Sequence, residues 1–399
     1  PMLGLALALK QRGHRVTFVV NGYFEDVVRK YGVDYLELGT KEAFLRSSRH
    51  PDLWNSMRAF QHIWRSLIQP SLRQQYDIFA DLYRPGETVG IVNCFGLGGL
   101  VAQDKIGIPV VTAHMQPAVV WSDISPPQLP GMFGPRRMQR WQYRIGERFF
   151  IDPVVCPDLN RFRKELGLAP VRQITRWWHS KWCVACLFPE WYCPPQRDWP
   201  ANLIQTDFPL WDEPNRNGLP AEVDAFLSSG DPPIAFTPGS SNVFGKQFFE
   251  TAVEACERLQ RRGMLLTRFS EQIPETLTSS LRHFPYIPFS ELLPRSAAVV
   301  HHGGIGSTAQ GLAAGVPQLL MPLAHDQFDN AARLKQFAVG DWEKPSKFTT
   351  RAVTKKLGHL LESDAVRSHC EEIRNKLSKR DGLARAAAEI DGFADSNGG

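Results

Sequence analysis

Residues 297–315 read Ala-Ala-Val-Val-His-His-Gly-Gly-Ile-Gly-Ser-Thr-Ala-Gln-Gly-Leu-Ala-Ala-Gly and combine a short apolar strand, a glycine-rich turn and a helix. The strand ends at His301, and the helix runs from Ser307 to Ala314 with Gly315 as its stop. Glycine lets a backbone come close to a ligand, and the first turn of a helix presents unpaired N–H groups with a partial positive charge. The junction therefore favours an anion such as phosphate, with a simple packing turn as the alternative interpretation.

The predicted diphosphate site draws its donors from two loops. His302 adds a ring N–H beside the anion, while Ser307 and Thr308 add hydroxyls that either bind phosphate oxygens or cap the helix. A second loop at residues 238–241 leaves its own strand at the same sheet edge and offers further backbone donors. The predicted diphosphate-binding residues are His302, Gly303, Gly304, Gly306, Ser307, Thr308, Gly239, Ser240 and Ser241.

A third loop, residues 322–330, follows the next strand at the edge where open α/β sheets bind their ligands. Within this loop, Asp326 and Gln327 offer the acceptors and donors that adjacent sugar hydroxyls need. We predict that this pair binds a sugar. Capping of the helix over residues 330–334 is the alternative interpretation for both side chains.

Strand–helix alternation runs along the chain in two blocks. The first has strands at 14–20, 88–93 and 108–113, and the second has strands at 233–237, 264–267, 297–301 and 318–321. This pattern predicts an α/β fold of two Rossmann-like doubly wound domains facing across a cleft. A chain of 399 residues also exceeds what one core usually supports.

Three prolines within residues 209–220 mark the predicted linker. We therefore predict an N-terminal acceptor-binding domain at 1–208 and a C-terminal nucleotide-sugar-binding domain at 221–399. The last helix either stays with the second domain or packs back on the first.

The chain opens with a helix at residues 1–13, before any strand. A crossover helix in a parallel sheet needs a strand on each side of it. We therefore expect the first strand of the N-terminal domain, and the loop after it, to lie upstream of Pro1.

The composition is that of a globular enzyme. Apolar residues make up 43% of the chain and charged residues 22%, and the net charge of +5 is too small to predict nucleic-acid binding by itself. The sequence contains no run of about 18 apolar residues and no signal peptide, so we expect a cytoplasmic protein.

The seven cysteines are scattered, which is typical of reduced thiols. His179, Cys183, Cys186 and Cys193 lie close in sequence, and a structural zinc site is the alternative to buried free thiols. Positions 183 and 186 fall on a predicted strand and would point to opposite faces, which argues against zinc.

The segment from Tyr286 to Asn330 resembles the nucleotide-sugar-binding signature of family 1 glycosyltransferases. This family includes plant and animal UDP-sugar transferases, sterol glucosyltransferases and bacterial antibiotic glycosyltransferases. The resemblance implies the GT-B fold, with His302 as diphosphate ligand and Asp326–Gln327 as the donor-sugar clamp. It also assigns nucleoside binding to Tyr286, Ile287 and Gln310.

The chain departs from the family pattern at several positions. Gln310 stands where plant members carry a Glu that binds the ribose hydroxyls, Gly306 replaces an Asn, and Phe289 replaces a Gln, as is common in bacterial relatives. In this family the catalytic base, a His or an Asp, lies in the loop after the first strand. We therefore expect the base upstream of Pro1 and assign no residue of this chain to that role.

The reaction that the resemblance implies is metal-independent displacement at an anomeric carbon with inversion. A hexose passes from a nucleoside-diphosphate sugar, UDP-glucose in type, to an acceptor hydroxyl. The nucleotide sugar is a co-substrate, no further cofactor is expected, and the sequence contains no Asp-x-Asp metal motif.

The acceptor prediction rests on composition. The aromatic residues of the first half, with Met132, would line a pocket for a sterol, hopanoid, lipid or natural product, although most of them will be core. His114 and Trp121 are the acceptor candidates, with a structural histidine as the alternative for His114. Residues 135–137, Pro-Arg-Arg, either contact anionic lipid, which would make the protein peripheral at a membrane, or form a solvated loop. The apolar candidates are Trp54, Trp64, Trp121, Met132, Phe133 and Trp141.

Two other classes of protein compete with this prediction. A Rossmann oxidoreductase would use the glycines at 96, 98 and 99, but the G-x-G-x-x-G spacing requires glycine at 101, where Val101 stands. A non-catalytic nucleotide-sugar-binding protein of the same fold is the second alternative.

Overall fold

The computed structural model describes residues 1–213, 218–239, 242–243 and 245–397, with side chains up to residue 394. Ser240 and Ser241, predicted to bind phosphate, lie outside these residues, as does part of the predicted linker at 209–220. The helices in the described part of the chain are too short or too polar to cross a membrane.

The chain is built of strands and helices. The strands are β1 (Thr17–Val20), β2 (Asp34–Glu37), β3 (Gly90–Val92), β4 (Val110–His114), β5 (Cys183–Cys186), β6 (Leu203–Gln205), β7 (Ile234–Thr237), β8 (Gly263–Leu266), β9 (Leu281–Phe284), β10 (Ala298–His301), β11 (Gln318–Leu320) and β12 (Gly340–Trp342). The helices are α1 (Met2–Gln11), α2 (Glu25–Lys30), α3 (Lys41–Ser48), α4 (Ala59–Ile63), α5 (Gln69–Leu82), α6 (Leu97–Ile106), α7 (Arg136–Gly146), α8 (Asp152–Glu165), α9 (Ile174–Trp177), α10 (Ala221–Ser228), α11 (Lys246–Leu259), α12 (Phe289–Leu292), α13 (Ile305–Ala314), α14 (Gln327–Gln336), α15 (Thr350–Glu362), α16 (Asp364–Leu377) and α17 (Gly382–Asn397).

Three parallel sheets organise these elements. β1 pairs with β2, the strands β3-β4-β5-β6 form a second sheet, and β12-β11-β10-β7-β8-β9 form a third. Every strand pair is parallel, so consecutive paired strands are joined by crossover connections. This confirms the predicted α/β class with Rossmann-like halves.

The described chain divides into two compact units, residues 1–209 with 381–399 and residues 210–380. Helix α17 therefore belongs to the first unit, where Arg385 forms an ion pair of 3.0 Å with the buried Asp207. Each unit has its own apolar core, with β3 and β4 packed in the first and β7, β8 and β10 in the second. The roles of the units as acceptor and donor domains remain predictions.

Two long helical segments of the first unit each contain one π-helical turn. Residues 64–68 and 147–151 are π-helical, and they join α4 to α5 and α7 to α8. Each π-helical turn precedes a proline, Pro70 or Pro153. Proline has no N–H to donate to the residue four positions earlier, and the π turn accommodates that loss.

Candidate functional site

The order of the six-stranded sheet places three loops side by side. The chain runs from β7 through β8 to β9 in one direction and from β10 through β11 to β12 in the other. β7 and β10 therefore pair at the point where the winding reverses, with His301 opposite Thr237. Ligands of doubly wound sheets bind at the carboxyl edge at this switch point. The loops after β7, β10 and β11 all leave the sheet there.

His302 lies at this switch point, between glycines of two loops. A Cβ on Gly239 would come within 3.0 Å of the His302 ring, and a Cβ on Gly304 would come within 2.7 Å of its Nε2. Gly239 and Gly303 have φ angles of +104° and +92°, which favour glycine. The glycines therefore have a demonstrable steric role, which is to make room for the imidazole and for the turn.

Burial, then the neighbouring His301 and His325, lower the pKa of His302 to about 3. The ring is therefore neutral at physiological pH, and a neutral imidazole has one N–H to donate. A neutral donor suits a site that must accept a diphosphate without first holding a buried positive charge.

A buried polar chain fixes the loop after β10 from beneath. The Nδ1 of His301 accepts from the Gly303 N–H at 3.0 Å, so its Nε2 carries the proton and donates to Gln318 Oε1 at 2.9 Å. Gln318 in turn donates to the Thr308 carbonyl at 3.2 Å. His301, Gln318 and Thr308 are buried. The network therefore ties both ends of the glycine turn to β11.

The first turn of α13 has backbone N–H groups that make no hydrogen bond within the described residues. The first helical bond runs from the Thr308 N–H to the Gly304 carbonyl, and Gly304 caps the helix without a side-chain hydrogen bond. Neither Ser307 nor Thr308 is a cap, so the capping interpretation of these hydroxyls is wrong. Gly306 is exposed and Ser307 is half-buried, and their N–H groups have no acceptor within the described residues. An anion would find two free amides here.

Thr308 differs from Ser307 in its surroundings. It is fully buried, and its Oγ1 has no hydrogen-bond partner within the described chain. Contact between Thr308 and phosphate stays a prediction.

Asp326 links the loop after β11 to the loop after β10. Its carboxylate accepts from Asn330 Nδ2 at 2.7 Å and from the Ile305 N–H. Asn330 also donates to the Gly303 carbonyl at 2.9 Å. Burial raises the pKa of Asp326 to about 6, while the hydrogen bond from Asn330 acts to lower it. The carboxylate is therefore ionised at neutral pH in a desolvated position.

Asp326 and Gln327 lie at the start of α14, and the side chains do not cap the helix, which was the alternative interpretation. Asp326 occupies the N-cap position but makes no side-chain cap bond there. Gln327 Oε1 instead accepts from the N–H groups of Leu323 and Ala324 at 2.7 and 3.1 Å. Its carbonyl oxygen is thus committed to the loop, which leaves the Nε2 amide as its donor. The pair presents one acceptor and one donor side by side.

The predicted nucleoside residues have different environments. Tyr286 follows β9 and is 46% exposed, with the Arg268 guanidinium 5.8 Å from its ring centre. Ile287 is buried in the apolar core, so any contact with a nucleotide would come from its backbone. Gln310 is half-buried one helical turn after Gly306 on α13.

Several known proteins are similar to this chain in sequence or in fold. Residues 266–384 match the family described as "Erythromycin biosynthesis protein CIII-like, C-terminal domain". An O-mycaminosyltylonolide 6-deoxyallosyltransferase of Streptomyces fradiae is 26% identical over 99% of this chain and 94% of its own length. A sterol 3-beta-glucosyltransferase of Arabidopsis thaliana is 23% identical over 98% of this chain, and 65% of that relative is covered.

The solved structure of glycosyltransferase VinC in complex with dTDP superposes with a TM-score of 0.70 at 18% identity, covering 99% of this chain and 96% of VinC. The chain is a family 1 glycosyltransferase. It has the GT-B fold and transfers a sugar from a nucleoside-diphosphate sugar. The non-catalytic alternative is therefore excluded.

The glycosyltransferase also has residues around the candidate site that the sequence pattern did not predict. His325 has a φ of +59°, a costly conformation for a residue with a side chain, immediately before Asp326. Asn330, four residues after Asp326 on α14, holds the carboxylate, and that spacing was a detectable signal. Gln318 carries no sequence signal, because its role depends on β11 lying beside β10.

In the first unit, the acceptor candidate His114 ends β4 and is buried. Its Nε2 lies 3.0 Å from the Nδ1 of His179. Burial, then His179, lower the pKa of His114 well below its usual value. This contact matches the structural alternative for His114, and contact with an acceptor stays a prediction.

Trp121 is buried and stacks on Tyr143, with ring centroids 4.3 Å apart. Its indole borders a cavity of about 360 Å³ that is otherwise lined mainly by charged residues, among them Asp123, Arg144 and Arg176. The expected apolar pocket is not assembled around it. Among the other candidates, Trp64 is buried in the core, while Phe133 and Trp141 are 65% and 64% exposed.

The residues considered as a zinc site do not form a metal-binding group in the structure. All seven cysteines are free thiols, and Cys183, Cys186 and Cys193 are buried. Within the described residues, no three His, Cys, Asp or Glu side chains come together as a metal-binding group. His179 instead bonds to His114.

A substitution at Gly304 tests whether the loop positions His302. Gly304 has φ −62° and ψ 144°, which alanine adopts without strain, so Gly304→Ala acts through its 2.7 Å approach to the imidazole. We expect donor affinity to fall about tenfold with little change in Tm, because one charge-assisted bond is distorted. Titration calorimetry with nucleoside diphosphate measures this. The matched control is Gly358→Ala in α15, where the added Cβ would meet only Leu259 at 3.7 Å; equal affinity loss in both variants would contradict the steric account.

Proposed function

We propose that this glycosyltransferase is an inverting, metal-independent enzyme that transfers a hexose from a UDP-glucose-type donor to a hydroxyl of a lipophilic acceptor. The acceptor classes that fit are sterols, hopanoids, lipids and polycyclic natural products. The observation that carries the proposal is the meeting of His302, the free amides of α13 and the Asp326–Gln327 pair at one switch point.

The reaction is a single displacement. The acceptor oxygen forms a bond to the anomeric carbon as the bond from that carbon to the diphosphate oxygen breaks, and the electron pair leaves with the diphosphate. The acceptor proton passes to a general base, which typically contributes about 10² to 10⁴ in rate. We assign no residue of this chain to that base.

The leaving diphosphate needs stabilisation, and this site supplies it through fixed donors. The His302 ring N–H, the amides of Gly306 and Ser307 and the Ser307 hydroxyl are four candidates within one helical turn. Charge-assisted hydrogen bonds contribute about 1.5 to 3 kcal/mol each, so a few of them can do the work of a cation. The bond from the His302 ring would be strengthened further, because a desolvated position has a low local dielectric.

The sugar is held by complementary groups. The Asp326 carboxylate accepts from one hydroxyl, and the Gln327 amide donates to its neighbour, since the Gln327 oxygen is already engaged by Leu323 and Ala324. Gln310 and Tyr286 would complete the site with ribose and base contacts. Gln310 lies about 6 Å along α13 from Gly306, which is the right order for the step from phosphate to ribose.

The acceptor class is supported by the relatives, whose names specify a sterol in one case and O-mycaminosyltylonolide in the other. His114 and Trp121 are the proposed acceptor-side residues. Since sterols and lipids reside in membranes, we also propose peripheral contact with a membrane.

A dTDP-deoxysugar is the second candidate donor. One relative is named as a deoxyallosyltransferase, and solved structures of similar fold contain thymidine diphosphate. The two donors differ in the base and in the sugar hydroxyls. The base and the sugar would contact different residues of the site.

A donor panel tests the proposal. UDP-glucose and dTDP-sugars are incubated with the enzyme and a sterol or macrolide alcohol, and release of nucleoside diphosphate and product anomer are measured with and without EDTA. We expect UDP-glucose to be preferred, turnover to be insensitive to EDTA, and the product to have inverted configuration. Preference for dTDP-sugars, loss of activity in EDTA or retention of configuration would each refute the corresponding part.

A further inference from the structure

One stretch of the first unit carries exposed aromatic side chains at high density. Phe133, Trp141, Phe149 and Phe150 are 65%, 64%, 66% and 59% exposed. No other Phe, Tyr or Trp in the described part of the chain is more than half exposed. Single exposed apolar residues need no explanation, but a cluster of aromatic rings is typical of a contact surface.

The same stretch is strongly basic. Residues 133–150 contain five arginines and one acidic residue, Glu147, which is buried. Arg137, Arg140 and Arg144 fall at helical spacing with Trp141 on the exposed side of α7. Tyr143 lies on the buried side of that helix.

The charges of this surface are only partly neutralised by the protein. Arg144 pairs with Asp123 at 2.7 Å, and Arg140 lies near enough to the same carboxylate to lower its pKa. Arg136, Arg137 and Arg148 form no ion pair within the described residues. Residues 133, 137, 140, 141, 148, 149 and 150 are all exposed, and we call them the aromatic–basic face.

We propose that the aromatic–basic face docks on an anionic phospholipid bilayer. Aromatic rings settle at the level of lipid headgroups, and guanidinium groups pair with lipid phosphates. Basic residues combined with Trp and Phe are also characteristic of helices that bind at a membrane interface. The one carboxylate of residues 133–150, Glu147, is buried, so the exposed charge of this stretch is positive and complements a negative lipid surface.

This inference deepens the proposed membrane contact but does not rest on the identity of donor or acceptor. Every residue of the face lies in the first unit, whereas the donor residues lie in the second. Lipid binding and donor binding can therefore fail separately.

The test is co-sedimentation of the enzyme with vesicles of phosphatidylcholine alone or mixed with phosphatidylglycerol, without substrate. We expect binding to the mixed vesicles only, and weaker binding at high salt because the ionic contribution is screened. Arg137→Glu/Arg140→Glu should weaken binding at least 30-fold, since each basic residue near an anionic surface contributes about a fivefold increase in binding. Phe149→Ser/Phe150→Ser should weaken binding about tenfold or more.

Matched controls carry the same changes elsewhere on the surface. Arg351→Glu/Lys355→Glu reverses two exposed charges on α15, and Met57→Ser removes a side chain that is 67% exposed. These controls should bind vesicles nearly as well as the wild type, and all variants should keep their Tm and nucleoside-diphosphate affinity. Absence of binding to anionic vesicles, or equal binding by the face variants and the controls, would overturn the proposal.

Discussion

Replacing His302 with alanine is expected to reduce kcat/KM by about 10² to 10³ while the fold is retained. The imidazole lies at the switch point against Gly239, and removing one preorganised donor from a site of developing negative charge typically costs that much. Affinity for the free nucleoside diphosphate should fall as well, by about tenfold to a hundredfold. Steady-state kinetics and calorimetry measure the two quantities.

The matched control for this prediction is His359→Ala, which removes an exposed histidine from α15 of the same unit. It should leave kinetics and affinity near wild type. Circular dichroism and Tm show whether either variant is misfolded. A His302→Ala enzyme that folds and retains near-normal turnover would remove the role assigned to the ring.

Asp326→Asn is expected to lower kcat/KM for the donor by about 100-fold and to abolish an acid limb in its pH profile. Burial raises the pKa of Asp326 to about 6, so in the wild-type enzyme the carboxylate is lost as pH falls through that value. Donor affinity should therefore weaken below about pH 6, because the charge-assisted bond to a sugar hydroxyl contributes about 1.5 to 3 kcal/mol. In the Asn variant affinity should be low and nearly independent of pH across this range.

The free energy of unfolding should also depend on pH through the Asp326 carboxyl group. Its dependence on pH should be opposite to that of donor affinity. The folded-state pKa of about 6 lies above the ordinary value of 3.8, so protonation of Asp326 stabilises the folded state. This contribution is complete below about pH 3.8 and is lost as pH rises through about 6.

Donor titrations at several pH values, with Asn330→Ala as a variant that removes a carboxylate partner, check the assignment of the acid limb to Asp326. An acid limb that persists unchanged in Asp326→Asn would show that another group titrates.

The elements around the site were predictable from the sequence because their signals are local. An apolar run, three glycines and a helix with Gly315 at its end specify β10, the turn and α13, and the structure confirms that Gly315 ends the helix with a φ of +70°. Asp326 and Gln327 were predictable as a polar pair at the edge of a parallel sheet.

Other features depended on contacts that no local pattern encodes. The buried chain from His301 through Gln318 to Thr308 exists because β11 pairs with β10, and no local pattern states which strands are neighbours in the sheet. The aromatic residues of the first half were predicted as a shared pocket, but hydrophobicity alone does not say whether a ring is in the core, as Trp64 is, or exposed, as Trp141 is.

The most direct test of the account is a crystal structure of the enzyme with bound nucleoside diphosphate or intact sugar nucleotide. The account predicts that the diphosphate lies within hydrogen-bonding distance of the His302 ring and the Gly306 and Ser307 amides. It also predicts that the hexose contacts Asp326 and Gln327. Density for the diphosphate at another edge of the sheet, or far from His302, would contradict the account.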